Sequence, residues 1–124
     1  MRAEVSKKME FAAAHRLPNY DGKCANFHGH TWEVEVTISG EISEVTGMVV
    51  DFSLVKKILE PIIEEHFDHH TLNDTIDNPT AENIAQYLYT KVGDMMWQLP
   101  RVDGIVLEAV TVWESSDSKA TVRG

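Results

Sequence analysis

The residues of this chain best suited to metal or acid–base chemistry fall in three short segments: His15; Cys24, His28 and His30; and His66, His69 and His70. On an extended backbone residues two apart share a face, so the "HGH" of residues 28–30 sets two imidazoles on one side, about 7 Å apart along the chain. His15 continues an odd-numbered register through Phe11 and Ala13. If the two segments pair as a hairpin, all three rings meet at one point. Three neutral imidazoles without a fourth protein ligand form a catalytic zinc arrangement whose open position takes water or substrate. A single strand-end histidine is more often a hydrogen-bonded residue beside a core; the convergence of three carries the metal reading. Cys24, the only cysteine, could close the shell as a fourth ligand or work as a thiolate beside the metal. Taken alone an unpaired cysteine is more often a small buried apolar residue, and spacing does not choose among the three. Asp68 directly precedes His69, where a carboxylate can orient an imidazole and raise its basicity. By itself such a pair in a polar turn is usually solvated.

Several elements must position these groups. From Ala3, the residues Val5, Met9, Phe11 and Ala13 alternate with polar neighbours, and only Lys7 breaks the pattern, which predicts a half-buried strand. "RLPNYDGKCAN" reads as a loop. "HTWEVEVTIS" predicts a second strand with Trp32, Val34, Val36 and Ile38 on the core face. Asp51 is a suitable N-cap for a helix with Leu54, Val55, Ile58, Leu59, Ile62 and Ile63 at helical spacing. Pro61 within it predicts a kink. "DHHTLNDTIDN" is a polar connection. Thr80 caps a second helix with the stripe Ala81, Ile84, Ala85, Leu88, Val92, Met95 and Met96. Strands over "IVLEAVTVWES" and "KATVRG" follow. The order ββααββ is α+β: a four-stranded antiparallel sheet with two helices on one face, in a single domain over residues 1–124. In the third strand Val106, Glu108, Val110 and Val112 share the register of Glu114, so from the strand alone both acids read as solvent-facing.

Composition narrows the classes. A chain of 124 residues, 43% hydrophobic, suits one modest core. A net charge of -9 offers no basic field for nucleic acid or an anionic membrane. One cysteine cannot form an intrachain disulfide and fits a reducing compartment. The charged N-terminal stretch and the lack of any long apolar run complete the expectation of a soluble cytoplasmic protein.

The segments "FAAAHRL" (11–17), "KCANFHGH" (23–30), "GMVVDF" (47–52), "FDHHTLND" (67–74), "NPTAEN" (78–83) and "WES" (113–115) resemble, in order, those of the 6-pyruvoyl-tetrahydropterin synthase family. The three-residue gap between Cys24 and His28 resembles its bacterial 6-carboxy-tetrahydropterin synthase branch, of the queuosine pathway. The resemblance implies that His15, His28 and His30 hold Zn2+ and that Cys24 is a general base, not a ligand. It implies that Asp68 and His69 relay protons, that Glu114 clamps the pterin ring, and that Thr80 and Glu82 help to line its pocket. The implied fold is the tunnelling fold, with trimers stacked in pairs as a homohexamer and active sites between subunits. The implied substrate is 7,8-dihydroneopterin triphosphate, converted to 6-carboxy-5,6,7,8-tetrahydropterin with release of acetaldehyde and triphosphate. Alternatives are 6-pyruvoyl-tetrahydropterin synthase activity, without acetaldehyde, and a non-catalytic zinc or pterin-binding module. Because the chain is acidic, a triphosphate requires local cations, for which Arg16 and Lys23 are the expected residues. The ending "TVRG" departs from the family in lacking an aromatic residue before the final glycine.

Overall fold

The computed structural model describes residues 1–124. Strand β1 (Arg2–His15) and strand β2 (His28–Glu41) pair antiparallel along their whole length, from Arg2 opposite Glu41 to His15 opposite His28. Helix α1 (Phe52–His66), the two-residue strand β3 (His70–Thr71) and helix α2 (Ala81–Met95) follow, and β4 (Ile105–Ser115) and β5 (Ser118–Arg123) close the chain. The sheet order is β3-β1-β2-β4-β5. It differs from the four-stranded expectation by β3, which runs parallel to β1 at Ala13 and Ala14. Two residues are too few for a period-two pattern to register, so this strand is invisible to patterning.

Both helices begin where expected. Asp51 Oδ1 accepts from the Ser53 N–H at 2.8 Å, and Thr80 Oγ1 accepts from the Asn83 N–H at 3.1 Å. Helix α1 is continuous through the exposed Pro61. The buried faces Val55, Ile58, Leu59, Ile62 and Ile63 of α1, and Ile84, Ala85, Leu88 and Val92 of α2, cover the sheet face that carries Phe11, Trp32, Val34, Val36 and Ile38. Met96 joins this core from the 3-10 turn after α2, whereas Met95 is exposed.

A β-bulge reorients β4. Thr37 faces Ala109 and Ile38 faces Leu107, so Glu108 has no partner on β2. Before the bulge Ile105 and Leu107 are buried; beyond it Val110 and Val112 are. The register assumed from the sequence therefore breaks at Glu108, which accepts a 2.6 Å hydrogen bond from Ser39 Oγ and is not free in solvent. Glu114 falls in step with Val110 and Val112, on the helix-covered face, where β2 presents His30 and Trp32.

Candidate active site

The hairpin of β1 and β2 brings the three imidazoles together. Ala13 opposes His30 and His15 opposes His28, so the rings share one face at the end of the sheet, with centroids 4.6 to 5.2 Å apart. Trp32 forms their floor, edge-on to His15 and His30, with its Nε1–H donating to the Ala13 carbonyl at 3.2 Å. One nitrogen from each histidine lies within 4.8 Å of the other two. His15 Nδ1 is 2.8 Å from the Pro79 carbonyl, and His28 Nδ1 is 2.7 Å from the Asn26 carbonyl. A carbonyl only accepts, so each Nδ1 carries the proton and each Nε2 keeps its lone pair. His15 Nε2 and His30 Nε2 are buried with no hydrogen-bond partner. Buried polar atoms are rarely left unpaired. Burial pushes the pKa of both His15 and His30 below its ordinary value, against the attraction of Glu114, which favours the neutral state that metal binding needs. The donor set fits a metal ion held by three neutral imidazoles.

Glu114 Oε1 lies 3.5 Å from His30 Nε2, near enough for charge attraction and outside hydrogen-bonding geometry. Its carboxylate is partly exposed and accepts no hydrogen bond from the protein, leaving its lone pairs for a ligand beside the histidines.

The other expected residues are distributed around this cluster. Cys24 is half-buried in a 3-10 turn (Lys23–Ala25) and is not among the groups within ligand distance of one another. Its loop is closed by the Leu17 N–H donating to the Cys24 carbonyl at 2.7 Å, and Gly22 supplies a φ of 138° that disfavours any side chain. Lys23 is exposed on the same turn, and the Arg16 guanidinium stands 5.8 Å from the centre of the Phe27 ring. The Thr80 hydroxyl is occupied in capping α2, next to the Pro79 that holds His15, while Glu82 is exposed in the first turn of α2.

Asp68 and His69 lie along the edge of β1. The Ala12 N–H donates to Asp68 Oδ1 at 3.0 Å, the His69 N–H donates to the Ala12 carbonyl at 2.6 Å, and Asp68 Oδ2 is 3.0 Å from His69 Nδ1. The Ala12 amide, then the His69 ring, hold the Asp68 carboxyl below the usual carboxylate range. His69 has a φ of 59°, a left-handed conformation unusual outside glycine, which lets the side chain of one residue and the amide of the next address the same alanine. His69 borders a cleft of about 540 Å³ that is also lined by Ala12, Ala14, Gly29, Thr31 and His30. Neither Asp68 nor His69 is among the groups within ligand distance of one another at the imidazole cluster. Of the remaining histidines, His70 Nδ1 meets the Asp68 carbonyl at 2.7 Å and His66 packs against Tyr87. The carbonyls of Pro79 and Asn26 escape sequence reasoning, because a backbone group leaves no mark of its own there.

Residues 4–124 match the family described as 6-pyruvoyl tetrahydropterin synthase. The chain belongs to this family. Among its relatives, a Synechocystis protein named 6-carboxy-5,6,7,8-tetrahydropterin synthase is 38% identical over 94 residues, which cover 71% of this chain and 73% of that protein. A Pyrococcus furiosus member, named dihydroneopterin monophosphate aldolase, is 33% identical over 94% of each chain. The solved structure of Caenorhabditis elegans 6-pyruvoyl tetrahydropterin synthase superposes with a TM-score of 0.85 at 28% identity, covering 100% of this chain and 96% of that one. This 6-pyruvoyl tetrahydropterin synthase family member thus has the tunnelling fold, with β3 as a short addition to the expected sheet. No helix of the family member is long and apolar enough to cross a membrane.

Proposed function

We propose that the protein is a zinc enzyme converting 7,8-dihydroneopterin triphosphate to 6-carboxy-5,6,7,8-tetrahydropterin, with release of acetaldehyde and triphosphate, in queuosine-type 7-deazapurine biosynthesis. The observation that carries this reading is the trio of imidazoles, two with buried and unpartnered Nε2 atoms, beside the free carboxylate of Glu114. His15, His28 and His30 would hold the ion, with the Pro79 and Asn26 carbonyls fixing two of the tautomers. A zinc ion held there would supply a Lewis acid for the side-chain hydroxyls of the substrate. Cys24 takes a proton as thiolate, and His69, oriented by Asp68, moves protons on the other side of the substrate. Glu114 accepts from the 2-amino group and N3–H of the pterin, a two-donor edge suited to a carboxylate. Thr80 and Glu82 border that pocket, and Arg16 and Lys23 offset the charge of the phosphates. Asp68 and His69 stand outside the imidazole cluster within one chain, which favours sites completed by a neighbouring subunit, in a homohexamer of two trimers.

The Pyrococcus relative favours a second reading, aldolase action on dihydroneopterin monophosphate. Incubating zinc-loaded protein with each phosphate separates the readings. Acetaldehyde and a 6-carboxypterin mass from the triphosphate support the proposal. A 6-pyruvoyl product without acetaldehyde, or turnover of the monophosphate alone, replaces it, and no turnover of either leaves a binding module.

A further inference from the structure

The segment from Asp68 to Asn73 is a strap laid along the edge of β1, and two side chains pin its ends. In β1 the even-numbered residues from Ala12 onward direct their backbone groups away from β2. Ala12 is met by the Asp68 carboxylate and the His69 amide, and Ala14 lies in the short parallel ladder opposite Thr71. The next even residue, Arg16, is met by Asn73. Its Oδ1 accepts from the Arg16 N–H at 2.9 Å, and its Nδ2 donates to the Arg16 carbonyl at 2.9 Å. A side-chain amide carries the same donor and acceptor as a peptide group, so Asn73 serves as one more rung after the backbone has turned into the 3-10 turn Leu72–Asp74. Leu72, fully buried, anchors the strap between Thr71 and this rung.

We infer that Asn73 is a positioning residue that fixes the strap carrying Asp68 and His69 in register with β1, and thereby sets where the His69 imidazole stands. The functional part of this inference rests on the relay proposed above; the positional part does not. His15 is held independently by its pairing with His28 and by the Pro79 carbonyl, so metal binding does not depend on Asn73. Asn73→Ala leaves both backbone groups of Arg16 unpaired, and Asn73→Asp keeps the acceptor while losing the donor.

The test uses the full chain loaded with zinc. Three quantities are compared in wild type, Asn73→Ala and Asn73→Asp: amide hydrogen exchange of Arg16 and His69, the imidazole nitrogen NMR shifts of His69, and steady-state kinetics with dihydroneopterin triphosphate. Asn73→Ala should speed exchange at both amides, shift the His69 ring signals and lower kcat about tenfold or more, with KM within about threefold and zinc content unchanged. Asn73→Asp should fall between it and wild type. Unchanged His69 ring signals in either variant overturn the positional inference, as does loss of zinc in step with kcat. If wild type makes no pterin product, the exchange and ring signals still decide it. If Asn73→Ala fails to fold, Asn73→Asp and Asn73→Ser carry the same readouts.

Discussion

At the scale of single residues, the question is which side chain does which part of the work. Two imidazoles alone hold a labile ion, so the wild-type protein should retain zinc through gel filtration and His28→Ala should lose most of it. Cys24 stands outside the group within ligand distance, and Cys24→Ala should keep zinc while losing roughly 100-fold in turnover, the scale of a general base. Metal analysis beside kinetics on both variants checks the assignment, and loss of zinc from Cys24→Ala would make it a ligand. Glu114→Gln keeps shape but turns one acceptor into a donor facing a donor. Losing that bond in a pocket costs about 2 to 4 kcal/mol, or roughly 30- to 1000-fold. The pterin edge does not react, so the loss should appear mainly in KM, with zinc content intact; undiminished pterin binding would place the ring anchor elsewhere. Acid should loosen the metal-free protein by a route with a definite sign. His15 and His30 titrate below 6.5 when folded, chiefly because burial disfavours the imidazolium. In the window from 6.5 down to those lowered values the unfolded chain binds more protons, so their contribution makes stability fall as pH falls. Relief of the net charge of -9 acts in the opposite direction. Urea midpoints of wild type and His30→Gln between pH 7.5 and 5.5 isolate the histidine part, and wild type should lose more than the variant. Equal slopes would leave His30 without a part in the acid response.

At the scale of elements, what was legible in the sequence is what repeats. The 3.6-residue stripes and both caps, Asp51 and Thr80, appear where the pattern placed them, and so do the long strands, because each rests on several residues agreeing. The histidine cluster was legible for the same reason, since one register in β1 and one in β2 fix all three rings. Two features were not. The strand β3 is two residues long, and the bulge at Glu108 is a one-residue slip that no periodic reading marks in advance. Pro61 removes one backbone donor on the exposed face of α1, which spans Phe52–His66 through it. The caps can be tested directly. Thr80→Ala removes the acceptor for the Asn83 N–H and should cost about 1 kcal/mol. For a domain of this size that is roughly 3 to 5 °C in Tm by calorimetry, with Thr80→Ser close to wild type. No difference between Ala and Ser would show that the hydroxyl does not hold the start of α2.

At the scale of the molecule, the proposed relay stands apart from the imidazole cluster within one chain. The imidazoles and Glu114 gather at one end of the β1–β2 hairpin, while Asp68 and His69 bond the Ala12 backbone at the β1 edge, where His69 and His30 border one cleft. The sheet is also unfinished. Residues Arg2–Phe11 of β1 have no strand beside them opposite β2, and β5 pairs with β4 alone. Long open edges are usually blunted or closed, and pairing with other copies of the chain is one way to cover them. Two inactive variants test whether sites are shared. Cys24→Ala disables the metal side, and His69→Asn disables the relay with a residue that tolerates the left-handed backbone at that position. Each alone should be inactive. Co-expressed with different affinity tags and purified through both, mixed oligomers at equal ratio should recover at most about a quarter of wild-type activity, since a shared site draws its two halves independently. If each site is built within one chain, every chain in the mixture carries one lesion and no activity returns. Recovery in doubly tagged oligomers, and none when the separately purified variants are assayed side by side without exchange, would establish the shared site; absence of recovery in oligomers shown by mass to contain both variants would return the whole site to a single chain.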